Sequence, residues 1–152
     1  MAAGDDAAAI AAVLLESFAE YRSLYTEPGF AATTSTRELI LERLSEGPGW
    51  VALHGEMIIG AVSVAVKGQA LYIRGMAVSP SARGHRVGEL LLRQIEEFAS
   101  ESGLKRLLLS TTPFLHRAIR LYEKNGFAST SEGPNELFGT PLFTMEKLLE
   151  AK

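Results

Sequence analysis

Around Ser79-Pro80-Ser81 the chain changes its hydrophobic period. Before that turn, Ala70 to Val78 is a mostly apolar run of strand length; after it, Val87, Leu90, Leu91, Ile95, Phe98 and Ala99 recur at the three- and four-residue steps of a helix. Gly103 suits the left-handed position that ends a helix, and a second short apolar strand, Arg106 to Ser110, follows it. A strand that feeds a helix and then another strand packs as a parallel, right-handed unit. The centre of the fold is therefore expected to be a sheet with a helix laid across it.

The flanking segments extend that sheet. Asp5 and Asp6 can cap a helix running through Ala7, Ile10, Val13, Leu14, Ser17, Phe18 and Tyr21. Pro28 and Gly29 interrupt the chain. A second helix is expected after Thr33, Thr34 and Ser35, with Ser35 and Glu38 spaced as a capping box, ending near Gly47-Pro48. Trp50 to Leu53 and Met57 to Val66, joined by His54-Gly55-Glu56, read as a hairpin, and Lys67-Gly68-Gln69 turns into Ala70 to Val78. Beyond Pro113 an amphipathic helix covers Phe114 to Asn125. Phe127 to Thr130 and Leu142 to Leu148 then form the last strands, joined by a polar stretch from Ser131 to Pro141. The fold class expected is α/β (α+β): a mixed central sheet with helices on both faces.

At 152 residues the chain fits one domain, residues 1–152. A formal charge of -3 with no block of like charges offers nucleic acid no footprint. With no cysteine, thiolate chemistry and disulfides are excluded, and the dispersed histidines give no metal-ligand spacing. Ala7 to Leu15 has the length of a signal-peptide core, but Asp5 and Asp6 precede it and Glu16 ends it. No run reaches the roughly 18 apolar residues of a spanning helix, so the expectation is no membrane and a cytoplasmic location.

The turn itself, Val78-Ser79-Pro80-Ser81-Ala82-Arg83-Gly84-His85-Arg86-Val87-Gly88, carries the chemistry. The first turn of a helix presents unpaired N–H groups at its positive end, Gly84 and Gly88 permit close approach, and Arg83 and Arg86 add cationic donors. A diphosphate would be held there. The segment matches neither a Walker loop nor the three-glycine dinucleotide fingerprint.

These residues resemble the coenzyme A signature of the GNAT superfamily of N-acetyltransferases, whose pattern is Arg or Gln, two residues, Gly, one residue, then Gly or Ala. Arg83 and Gly88 match its ends, and Arg86 replaces the middle glycine. Leu71 to Val78 is similar to the family's fourth strand. Ala118-Ile119-Arg120-Leu121-Tyr122-Glu123-Lys124-Asn125-Gly126-Phe127 is similar to its later motif, with Leu115 where the family often has Asn. Only Met1-Ala2-Ala3 precede the first helix, so the family's first edge strand is expected to be short or missing.

The resemblance implies acetyl-coenzyme A as acetyl donor, its diphosphate on Arg83, Gly84, His85, Arg86, Val87 and Gly88, and its pantetheine on the backbone of Met76, Ala77 and Val78. Gly75 inside a strand marks a bulge, and in the family that bulge splays the strand from its neighbour. The Met76 N–H would polarise the thioester carbonyl, and Tyr122 would also touch the cofactor and protonate the leaving thiolate. The acceptor is an amine, of a small molecule or a peptide, and a homodimer is left open. Tyr25 to Phe30 and Asn135 to Phe138 correspond to the family's acceptor side. Family members with a glutamate base carry it on the strand where this chain has Arg74. Glu27, Glu56, Glu136, His54 and His116 are candidate proton acceptors through water, and none is assigned. By simple alternation Arg74 shares a face with Tyr72 and Met76, from which it would either hold an acceptor carboxylate or cover the sheet edge. A coenzyme A-binding module that regulates without catalysing, and a nucleotide-binding domain of another class, remain as alternatives.

Overall fold

The long strand β2 (Met57–Lys67) pairs antiparallel with β1 (Gly49–His54) on one side and β3 (Ala70–Val78) on the other. The structure is a computed structural model that describes residues 1–84, 86–131 and 135–149. Helix α4 (Val87–Glu101) carries the chain over to β4 (Arg106–Thr111), which pairs parallel with β3 as the period change requires. Then β8 (Phe143–Leu148) and β5 (Ala128–Thr130) complete a six-stranded mixed sheet of order β1-β2-β3-β4-β8-β5.

Alternation along the strands gives the sheet two apolar faces. On one, Val62, Val64, Leu71, Ile73, Leu107, Leu109 and Met145 pack against Val87, Leu91, Leu92, Ile95 and Ala99 of α4. On the other, α1 (Ala7–Phe18) and α3 (Arg37–Glu46) press Ile10, Val13, Leu14 and Ile40 against Ala61 and Ala77. Burying an aliphatic side chain of this size contributes about 1.5–3 kcal/mol, so these two stripes fix the helices to the sheet. Leu90, expected on the apolar face of α4, is 55% exposed, and Leu92 takes the buried position instead. No helix of the described residues is long and apolar enough to cross a membrane.

Residues 1–6 form no strand. The only trace of an edge there is a hydrogen bond from the Ala2 N–H to the Gly49 carbonyl at 2.7 Å. Pro28-Gly29 does not break the chain but lies in the first turn of α2 (Glu27–Thr33), where the missing proline N–H would have no intrahelical acceptor. Thr36, not Ser35, caps α3: its Oγ1 accepts from the Leu39 N–H at 3.2 Å, while Ser35 is buried. Within the stretch read as a polar loop, β6 (Glu136–Leu137) and β7 (Thr140–Pro141) make a small hairpin turned by Phe138 and Gly139, both at positive φ.

The feature that positions the site lies in β3. Ala61 pairs with Ala77 and Ser63 with Arg74, so β3 carries one residue more than β2 across this step. Gly75 absorbs it at φ +64°, a left-handed conformation that costs other residues about 1–2 kcal/mol. The extra residue reverses the alternation. Leu71 and Ile73 face α4, and beyond the bulge Met76 and Val78 join that same cluster while Ala77 joins the opposite one. Arg74 therefore does not share a face with Met76, as simple alternation predicts. It stays on the α3 side, where its Nη2 donates to Glu46 at 2.8 Å. Pairing between β3 and β4 stops at Ile73 and Leu109, although β4 continues to Thr111 against β8.

Gly75→Ala forces a side chain into the left-handed conformation with its Cβ 3.2 Å from Arg43 Nη1. We expect it to lower stability by about 1–2 kcal/mol, read as a shift in the urea midpoint; an unshifted midpoint would show that the bulge does not need glycine.

Candidate active site

A cleft of about 720 Å³ opens where β3 and β4 part. It is bounded by the bulged end of β3, the last residues of β4, the first turn of α4, and α5 (His116–Lys124). Met76, Ala77, Val78, Arg83, Gly84, Arg86, Val87, Gly88 and Tyr122, all singled out from the sequence, line this one cleft. His85 lies outside the described residues.

The loop before α4 is shaped by two left-handed residues. Gly84 has φ +89° with nothing within 4 Å of where a Cβ would stand, and Arg86, the N-cap of α4, has φ +61°. The position at which Arg86 replaces a glycine is thus one that favours glycine. No side chain caps α4, so its first-turn N–H groups face the cleft without a protein acceptor supplied by the cap. Glu89 in that turn answers Lys124 at 3.3 Å and Arg86 at 3.9 Å. Arg86 is 80% exposed in its side chain.

Arg83 is already paired. Its Nη1 donates to Glu20 and its Nη2 to the Ser17 carbonyl at 3.1 Å, tying the end of α1 to the loop. Ser17 Oγ donates to the Val78 carbonyl at 2.7 Å, and Ser79 Oγ to Glu16 at 2.9 Å. These stitches join residues more than sixty positions apart and hold the loop in register with β3. Gly88 also has a packing reason: a Cβ there would lie 2.7 Å from Leu121 Cδ2, so the glycine lets α5 approach α4.

Tyr122 is 7% exposed, its ring packs on Phe127 with centroids 5.8 Å apart, and its hydroxyl donates to Met76 Sδ at 3.8 Å. Burial pushes its pKa up to about 12, with the phenol of Tyr25 adding to the effect. Tyr25 comes from the segment before α2 and lines the same cleft. Burial raises its pKa too, the Thr112 and Thr33 side chains acting in the opposite direction. The two stretches expected on the acceptor side are brought together. The Thr26 N–H donates to Thr140 Oγ1 at 2.9 Å and Thr26 Oγ1 donates to the Phe138 carbonyl at 2.7 Å, fastening α2 to the β6–β7 hairpin.

Glu27, Glu56, Glu136, His54 and His116 are exposed, and none of them lines the cleft. Among the described residues that do, Glu89 is the single carboxylate, and there is no histidine. The lining residues that sequence did not mark include Arg43 of α3 and Thr112 beyond β4. Their positions depend on which face of α3 meets the sheet and how far β4 outruns β3, and no local pattern encodes either.

Residues 12–127 match the model of the acetyltransferase (GNAT) family. The chain is 31% identical over 129 residues to the uncharacterized N-acetyltransferase YjgM of Escherichia coli (strain K12), covering 80% of this chain and 76% of that protein. It is 36% identical over 91 residues to an IAA acetyltransferase of Azospirillum brasilense, covering 59% of this chain and 58% of that protein, so the match spans little more than half of that relative. In fold it is similar to the PaiA N-acetyltransferase from Thermoplasma acidophilum in complex with coenzyme A, with a TM-score of 0.83 at 18% identity over 97% of this chain and 96% of that one. Ard1 from Thermoplasma volcanium gives 0.79 at 22% identity, over 98% and 95%.

Arg86→Gly relieves a left-handed non-glycine residue at a cost of added freedom in the unfolded chain. The expected net gain is about 0.5–1 kcal/mol, measured by urea denaturation; a loss of stability would mean that the Arg86 side chain holds the loop.

Proposed function

The chain belongs to the acetyltransferase (GNAT) family, and from that premise we propose that it transfers an acetyl group from acetyl-coenzyme A to an amine. The observation that carries this reading is the gap between β3 and β4 opening directly beside the uncapped N-terminus of α4. A donor with a long polar arm and a diphosphate fits that combination: strand backbone without a neighbouring strand for the arm, and helix N–H groups for the anion. In this reading Met76, Ala77 and Val78 hold the pantetheine arm, and Arg83, Gly84, His85, Arg86, Val87 and Gly88 form the diphosphate cradle. Arg83, paired with Glu20, shapes that cradle as much as it charges it. We read residues 1–152 as one such domain, acting in the cytoplasm on a small-molecule or peptide amine.

In the reaction the amine nitrogen attacks the thioester carbonyl carbon, the C–S bond breaks, the nitrogen gives up a proton, and the sulfur gains one. The Met76 N–H stabilises the charge that develops on the carbonyl oxygen. Tyr122 donates toward the departing sulfur. With a pKa of about 12 it stays protonated throughout the neutral range, whereas a thiol in water has a pKa near 8.5. Full proton transfer is favoured only as far as the same burial also raises the pKa of the thiol. Glu89 is held by Lys124 and Arg86, so the proton from the amine leaves through water.

Calorimetric titration tests the donor assignment: acetyl-coenzyme A should bind, and ATP and NAD should not compete at equal concentration. Binding of ATP or NAD in preference would overturn it.

Tyr122→Phe removes only the hydroxyl and should leave acetyl-coenzyme A affinity intact while slowing the chemical step in single turnovers by roughly 10²-fold, the low end for a general acid. With wild type, that step should rise with pH as the amine loses its proton and should show no fall below about pH 10, because Tyr122 keeps its proton there. An unaltered single-turnover rate in the variant would make Tyr122 a packing residue.

A further inference from the structure

At the side of the cleft facing α3, two guanidinium groups meet and one carboxylate answers them. Arg74 of β3 donates to Glu46 at 2.8 Å, yet its Nε is buried without a hydrogen-bond partner. Arg43, nearly one turn before Glu46 on α3, lines the same cleft with its Nη1 lying over Gly75, 3.2 Å from where a Cβ would stand. Among the described residues Arg43 makes no ion pair within 4 Å and no side-chain hydrogen bond. It is half-buried, and its burial, followed by the charge of Arg74, lowers its pKa, with Glu46 acting more weakly in the opposite direction. An arginine nevertheless stays charged at any physiological pH. A partly desolvated cation beside a like charge is unfavourable unless an anion joins it.

The rest of this side offers hydroxyls rather than acids. Tyr72 donates to Ser110 at 2.8 Å, Tyr25 and Thr33 line the wall, and no carboxylate of a described residue lines the cleft apart from Glu89, at the α4 end. A polyamine would meet two guanidinium groups with only the Glu46 carboxylate to set against them. A carboxylate would meet a fork of planar donors, the geometry for which arginine is suited.

We propose that the acceptor carries a carboxylate close to its amine, as an α-amino acid does, and that Arg43 and Arg74 hold this carboxylate at the Gly75 bulge. The inference rests on the acetyltransferase reading and adds the class of acceptor. Arg43 is the residue that marks it out: Arg74 alone is matched by Glu46, and the second guanidinium leaves a positive charge for the ligand.

The test is a panel of L-amino acids, each run beside its own C-terminal amide, with wild type, Arg43→Gln and Arg43→Lys. After correction for the fraction of neutral amine, the best amino acid should exceed its amide in kcat/KM by roughly tenfold or more, the scale of a charge-assisted hydrogen bond. Arg43→Gln should collapse that ratio through KM for the amino acid, and Arg43→Lys should restore part of it. Acetyl-coenzyme A affinity, titrated for each variant, reports whether the fold and donor site survive. Amino acids and amides used equally, no amino acid used at all, or Arg43→Gln lowering both alike would overturn the inference. If acetyl-coenzyme A binds and other amines are acetylated in those cases, the acetyltransferase reading stands; if wild type does not bind acetyl-coenzyme A, that reading falls first.

Discussion

The structure depends on an interrupted hydrogen-bond ladder. Parallel strands β3 and β4 pair from Ala70 to Ile73 and then separate, because the residue inserted at Gly75 bends β3 while β4 stays in register with β8. Backbone donors and acceptors are costly to leave unpaired away from water, so a gap of this kind persists only where the surrounding packing enforces it. Here the enforcement comes from both faces: Met76 and Val78 are anchored in the α4 cluster, and Ala77 in the α1–α3 cluster. The strand cannot slide back without pulling apolar side chains out of one core or the other.

The end of the gap is finished by long-range polar contacts. Ser17 and Glu20, in and just beyond the last turn of α1, hold Val78 and Arg83, while Glu16 holds Ser79. The loop is thereby set against the N-terminus of α4, and the left-handed Arg86 shows that its shape is imposed by its surroundings rather than preferred by its sequence. A helix terminus held against the sheet by such contacts presents its backbone N–H groups with less to reorganise when an anion arrives, which is the benefit of preorganised donors. Tyr122 of α5 and Tyr25 from the segment before α2, both buried, line the same cleft.

Local chemistry announced the central unit. The shift from strand to helix period at Ser79-Pro80-Ser81, and a glycine inside an apolar strand, were enough to place the β3–α4–β4 crossover and the bulge. What the bulge does to the faces was harder to see. The alternation rule assigns Arg74 to the side of Met76, and one inserted residue reverses that assignment. Helix α2 was hidden because Pro28-Gly29 looks like a break until Thr26 is seen capping the helix around it. The β6–β7 hairpin was hidden because Phe138-Gly139 lacks the Asn-Gly signal of such turns. The partnerships of Arg83 with Glu20 and of Gly88 with Leu121 join distant segments, and no periodicity reports them.

The central claim is that backbone exposed by the β3–β4 gap and the α4 terminus grips the acetyl donor. Amide hydrogen exchange, followed residue by residue with and without coenzyme A, tests it most directly. Protection should rise at Met76 to Val78 and at Val87 to Glu89, with little change in β1 or β5. Saturating coenzyme A that leaves those amides as they were, or protects a different part of the sheet, would contradict the account.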